Sequence, residues 1–147
     1  ESILQPLTQT DLSTLKWRDV VRAEVAGVAG ILTRGGYTGC DGFEFMTENA
    51  SPDVWNALLK NGATPCGLGA RDVLRLEAGL PLYGHELRED WTPQESGVGF
   101  AAKIEKSDFI GRDALLHQQP ARKIRGLKMQ SKAIAREGYR VLDSENN

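Results

Sequence analysis

The sequence predicts an α+β chain, and three observations predict it. Strand-like segments come first, helical segments with an apolar face follow, and a second strand-like pair comes last. From Val20 to Thr33, valine, isoleucine and leucine mix with alanine and glycine. This composition predicts strands over about 20–26 and 28–34, with a turn near Gly27. A third strand is predicted from Gly42 to Met46. Ahead of them, Asp11 to Leu15 predicts a short helical turn capped by Thr10 or Asp11.

Ser51-Pro52-Asp53 carries the signature of a helix start, a capping serine with proline in the first turn. Val54, Trp55, Leu58 and Leu59 then fall on one face, and Asn61-Gly62 ends the helix. A second helix is predicted over about 69–78, packing through Val73, Leu74 and Leu76 and closed by Gly79. The stretch 81–99, rich in glycine, proline and charge, predicts a long irregular loop, and such loops often carry function. A short helix is expected over 108–116 with Asp108 as its cap. Strands are expected at Lys123–Met129 and Tyr139–Asp143, the start of a separate β module.

A length of 147 residues suits one domain with a small appendage. Eighteen basic against twenty acidic residues leave a net charge of -2, which removes a broad electrostatic drive toward nucleic acid or acidic lipid. The longest apolar run, Val25 to Leu32, is far short of a membrane span. Cys40 and Cys66 form neither a CxxC pair nor a disulfide framework, which points to a reducing compartment. Both ends read as cuts through a larger protein.

The most unusual stretch is Arg34-Gly35-Gly36-Tyr37-Thr38-Gly39-Cys40-Asp41-Gly42-Phe43-Glu44. Its four glycines let the backbone turn tightly and approach something closely, with Tyr37 and Glu44 flanking the turn. No GxxxxGK[ST] is present, so this is not a phosphate loop. A glycine-rich hairpin with a solvated glutamate is the plainer alternative. Arg71 lies in the first turn of the second helix, where the dipole disfavours a cation. It needs an anion or carbonyl partner, and a surface salt bridge would also serve. His85 and His117 differ too much in context for a metal site, and no histidine lies near Cys40 to activate it. The tryptophans are not interleaved with basic residues, as a nucleic-acid stacking platform requires.

Taken together, four segments resemble the T-protein, the aminomethyltransferase of the glycine cleavage system. They are Arg34-x-Gly36-Tyr37-Thr38-Gly39-x-Asp41-Gly42-Phe43-Glu44, Pro65-Cys66-Gly67-Leu68-Gly69-Ala70-Arg71-Asp72-x-Leu74-Arg75-Leu76-Glu77-Ala78-Gly79, Leu82-Tyr83-Gly84-His85-Glu86-Leu87, and Lys106-x-Asp108-Phe109-Ile110-Gly111-Arg112-x-Ala114-Leu115. The resemblance covers essentially the whole chain and places it in the middle of a longer protein. It implies a folate-binding mixed sheet with helices over 1–100, a linker with a short helix over 101–121, and the first strands of a truncated C-terminal β-barrel over 122–147.

The activity it implies takes the aminomethyl group from the lipoamide of H-protein, releases ammonia and forms 5,10-methylenetetrahydrofolate. Tetrahydrofolate and H-protein are the implied partners, with no metal, nucleic acid or membrane. The compartment would be the bacterial cytoplasm or the mitochondrial matrix. Tyr37, Glu44 and Arg71 match folate-contacting positions of the family. The family's catalytic aspartate falls ahead of Glu1, so no catalytic residue is assigned in this chain and no turnover is expected from it alone. Cys40 stands where the family usually has glutamate, and Phe100 where many members have tryptophan. Folate-linked domains of dimethylglycine and sarcosine dehydrogenases look similar and would use the same pocket. A folate-binding factor of iron–sulfur maturation is a further alternative, but it would carry a cysteine immediately before the turn tyrosine, where Gly36 stands.

Overall fold

The computed structural model describes residues 1–49, 51–106, 108–142 and 145. They fall into two units, Glu1–Leu82 and Tyr83–Asn147, each taken here by itself.

The first unit is built on a sheet of three antiparallel strands in sequence order: β1 (Val20–Val25), β2 (Val28–Arg34) and β3 (Phe43–Met46). The first hairpin turns at Ala26-Gly27, both with positive φ, in register Val25↔Val28. The second runs from Arg34↔Phe43 to Ile31↔Met46. The described strands therefore pair antiparallel only, where a mixed sheet was expected. Short links join neighbouring strands, and a parallel pair needs a long crossover.

Alternation sorts the sheet into two faces. Leu32 is fully buried and clusters with Leu12 and Leu15, with Leu4, Val21, Ala23, Phe43 and Phe45 packed around them. Leu12 is delivered by a short 3₁₀ turn, Leu12–Thr14, capped by the Asp11 carboxylate accepting from the Ser13 N–H. Gly30 has no room for a side chain, because a Cβ there would stand 2.4 Å from the Met46 carbonyl and 2.7 Å from the Phe45 ring. The other face carries Val20, Ile31 and Met46, all exposed. A shallow cleft of about 940 Å³ lies there, lined by Arg22, Glu24, Ile31, Met46 and Glu48 among others.

Helix α1 (Pro52–Lys60) follows Ser51 as expected, although the serine side chain makes no capping bond. It buries Val54, while Trp55 stays exposed. Helix α2 (Leu68–Glu77) buries Arg75. The predicted packing residues Val73, Leu74 and Leu76 are instead exposed, because the described residues bring no apolar surface over them.

The second unit is mostly irregular, as predicted for 81–99. Its regular elements are a 3₁₀ turn at Gly99–Ala101 and helix α3 (Arg112–His117). The cap of α3 is Gly111 in the left-handed region (φ 88°), four residues into the span predicted from Asp108. Lys123–Met129 forms no strand, which corrects the expectation there. Its residues are exposed and no segment among the described residues pairs with them, and a strand exists only through its partner. The same holds for Tyr139 to Leu142, and Asp143 lies outside the described residues. Glu95 organises this unit as a buried carboxylate. It accepts from the Thr92 N–H (2.9 Å), the Thr92 hydroxyl (3.0 Å) and the Ala121 N–H (3.1 Å), with Arg122 at 3.5 Å.

Candidate functional site

The glycine-rich turn between β2 and β3 positions the site. Its base is closed by the Gly35 N–H donating to the Gly42 carbonyl at 2.9 Å. Arg34, the last residue of β2, reaches across the same base and forks onto Asp41, Nε to Oδ1 at 3.1 Å and Nη2 to Oδ2 at 2.9 Å. Its Nη1 donates to the carbonyls of Leu12 and Leu15, each at 3.0 Å, and Glu1 lies 3.3 Å from Nη2. The guanidinium also sits over the Phe43 ring at 5.3 Å. One side chain thus ties the turn, the strand end and the 3₁₀ segment together.

The far side of the turn meets α2. Gly39 has φ +74°, and a Cβ there would stand 2.4 Å from Ala78 Cβ, so both its conformation and its contact require glycine. Tyr37 is half-buried, and its hydroxyl donates to the Pro81 carbonyl, with the Leu80 carbonyl at 3.5 Å. Arg75 Nη1 donates to that same Leu80 carbonyl at 3.2 Å, while its Nε holds Asp72 at 2.8 Å. The guanidinium of Arg71 lies over the Tyr37 ring, 4.5 Å from the centroid. A cation over a ring face is attracted by the ring quadrupole. The sequence led to an anion, a carbonyl or a surface salt bridge for this cation, and the structure gives it an aromatic ring instead.

The structure brings Tyr37 and Arg71 into contact. Glu44 stands on β3 opposite Thr33, exposed, on the sheet face away from the core. Its carboxylate forms no hydrogen bond or ion pair among the described residues, including none with Arg71. None of the three lines the shallow cleft of the sheet. Among the described residues no group of three or more His, Cys, Asp or Glu could hold a metal ion, and no helix is long and apolar enough to cross a membrane. Cys40 and Cys66 are exposed free thiols.

Arg34 was quoted in the motif without a role. The signal for it was present: an arginine ending a strand, a glycine pair, and an aspartate seven positions on. Three carboxylates, Asp41, Glu95 and Glu137, carry a lowered pKa, Glu137 through its hydrogen bond from Arg88. The Arg34 hydrogen bond holds Asp41 below its usual range, and the Thr92 backbone and hydroxyl bonds do the same for Glu95. The sign follows from linkage. Each group favours the fold above its unfolded pKa, 3.8 for Asp41 and 4.5 for Glu95 and Glu137, and that contribution is lost as pH falls through the lower native value. Thermal melts are therefore expected to be flat from pH 7 to about 5 and to fall steeply below pH 4. Replacing Glu95 by glutamine should flatten part of the acid limb. A limb identical to wild type would remove Glu95 from the account.

The site is a glycine-rich turn clamped on a three-stranded sheet, with an arginine from a glycine-led helix stacked on the turn tyrosine, and the class of the chain follows from comparison with known proteins. The family described as "GCVT N-terminal domain" matches residues 1–106, and the chain belongs to that family. It is 47% identical over 146 residues to an aminomethyltransferase of Herpetosiphon aurantiacus, covering 97% of this chain and 40% of that protein. It is 48% identical over 151 residues to an aminomethyltransferase of Halalkalibacterium halodurans, covering 96% and 41%. One from Caldanaerobacter subterraneus is 49% identical over 152 residues, covering 96% and 40%. The chain spans about 40% of the length of these relatives.

Proposed function

We propose that the protein containing this chain is a tetrahydrofolate-dependent aminomethyltransferase of glycine cleavage. It would take the aminomethyl group from H-protein lipoamide, release ammonia and yield 5,10-methylenetetrahydrofolate. The observation that carries this reading is identity near one half to proteins named aminomethyltransferase along almost the whole chain, the turn and α2 included. These names favour the transferase over the dehydrogenase-linked alternative.

In this reading the chain supplies much of the folate contact. A pterin edge presents a ring N–H beside an exocyclic amine, and a carboxylate with two acceptor oxygens meets both. Glu44 suits that task, being exposed on its strand with no protein group competing for it. Tyr37 offers a ring face, and Arg71, stacked on it, offers donors for a pterin carbonyl or a charge to orient Glu44. The aspartate that assists ammonia release belongs to another part of the protein. Residues 1–100 would form the folate-binding core, 101–121 a linker, and 122–147 the opening of a β-barrel module whose strands pair only with the rest of that module. The protein would work in the bacterial cytoplasm or the mitochondrial matrix.

Tetrahydrofolate titrated into the whole protein, followed by tyrosine and tryptophan fluorescence, tests the reading. Saturable binding is expected, together with methylenetetrahydrofolate formation once aminomethyl-loaded H-protein is supplied. A protein that binds no tetrahydrofolate at millimolar concentration would overturn it.

A further inference from the structure

We propose that the Arg34–Asp41 pair is a positioning clamp that holds Tyr37 in register with Arg71, and that folate binding depends on it. The inference rests on the folate reading above and adds two residues to it. Neither is offered as a contact to substrate.

The geometry of the turn carries the argument. Asp41 lies seven positions after Arg34, and glycine occupies four of the eight positions from Gly35 to Gly42. Such a segment has more backbone freedom to lose than any other of its length. Only one backbone bond, Gly35 to Gly42, closes its base. The two-pronged Arg34–Asp41 contact closes it a second time, at 2.9 and 3.1 Å, in the planar fork geometry that fixes orientation as well as distance. Arg34 is itself immobilised by the carbonyls of Leu12 and Leu15 and by the Phe43 ring, and its side chain is only 18% exposed. Asp41 is thereby tied to the core of the first unit.

Tyr37 sits midway in the clamped segment, and what it meets is also fixed. The Leu80 carbonyl facing its hydroxyl is gripped by the buried Arg75, and Gly39 abuts Ala78. Two anchored surfaces, one from the sheet and one from α2, thus hold the tyrosine between them. Releasing the sheet side leaves Tyr37 joined to the sheet through the glycine-rich backbone and the Gly35–Gly42 bond, with its hydroxyl still on the Pro81 carbonyl. The Arg71 guanidinium then loses a ring of fixed position to stack on.

The test uses the whole protein with Asp41→Asn and Asp41→Glu. The ligand-free readout is the Nε–Hε resonance of Arg71 in ¹⁵N-arginine-labelled protein, assigned with Arg71→Lys. In wild type the Tyr37 ring current shifts it upfield. Asp41→Asn is expected to return it toward its random-coil position and to weaken tetrahydrofolate about tenfold, because the ligand must then order the tyrosine on binding. Asp41→Glu keeps the carboxylate and should restore both in part. Should Asp41→Asn fail to fold, Arg34→Lys takes its place, since it keeps the charge and loses the fork. An Arg71 resonance and an affinity both at wild-type values in the asparagine variant would overturn the clamp. A shifted resonance with unchanged affinity would overturn its part in folate binding. Wild-type protein that binds no tetrahydrofolate would overturn the folate reading, while the Arg71 resonance would still decide whether the clamp positions Tyr37.

Discussion

Replacing Glu44 by glutamine in the whole protein is expected to weaken tetrahydrofolate binding by about ten- to a hundredfold and to leave the melting temperature of the free protein unchanged. The first half follows from the ligand. Glutamine keeps one acceptor oxygen and turns the other into a donor amide, so one charge-assisted bond is lost and a donor faces a donor. Such bonds are worth about 1.5–3 kcal/mol. The second half follows from the structure. Glu44 is exposed and its carboxylate has no hydrogen bond or ion pair among the described residues, so the fold loses nothing when the charge goes. Calorimetric titration beside melting curves reads both. Unchanged affinity coupled to a large loss of stability would make Glu44 a structural residue.

Leu32→Ala is expected to have the largest effect on folding. Leu32 is fully buried where β2 crosses the small cluster formed with Leu12 and Leu15. Truncating a buried leucine costs about 2–5 kcal/mol, from lost transfer energy plus the cavity left behind. A typical domain is stable by only about 5–15 kcal/mol, and here the cluster is small, so the variant should unfold at markedly lower urea. The upper part of the range is expected because the neighbours come from four separate segments, the one around Leu4, the 3₁₀ turn with Leu15, β1 and β3, each held by its own hydrogen bonds. They cannot all move in to fill the space. A loss under about 1 kcal/mol would mean that the core closes over the gap.

The two hairpins and the starts of α1 and α2 were legible because the signals are local. Gly27 must turn, Val20–Val25 and Val28–Arg34 alternate, and Ser51-Pro52 can only begin a helix. Burial was less legible. Periodicity assigned Val73, Leu74 and Leu76 to packing, yet a helix pattern names a face and not what covers it. Arg75, on paper the residue to place in solvent, is the buried one, since Asp72 and the Leu80 carbonyl satisfy it. The strands expected at 123–129 and 139–143 failed for a related reason: β propensity is realised only against a neighbour. Of the candidate site, the turn and the need for a close approach follow from glycine spacing, while the identity of the neighbour, α2, does not. The Arg34 fork went unread although an arginine ending a strand and an aspartate seven positions on stood in the motif, because a pair at that spacing has no periodicity to single it out.

The sequential order of the strands also has a kinetic side. Each strand of the sheet pairs with its neighbour in the chain, so the register Val25↔Val28 and then Arg34↔Phe43 closes short loops and costs little entropy at each step. The stacking of Arg71 on Tyr37 is different in kind, because it joins positions separated by all of β3 and α1. Its closure entropy is repaid only after the sheet has already fixed the turn. The meander is therefore expected to form early, and the tyrosine–arginine contact late. The segment that carries the proposed ligand contacts is then the part of the first unit most readily opened without unfolding the rest.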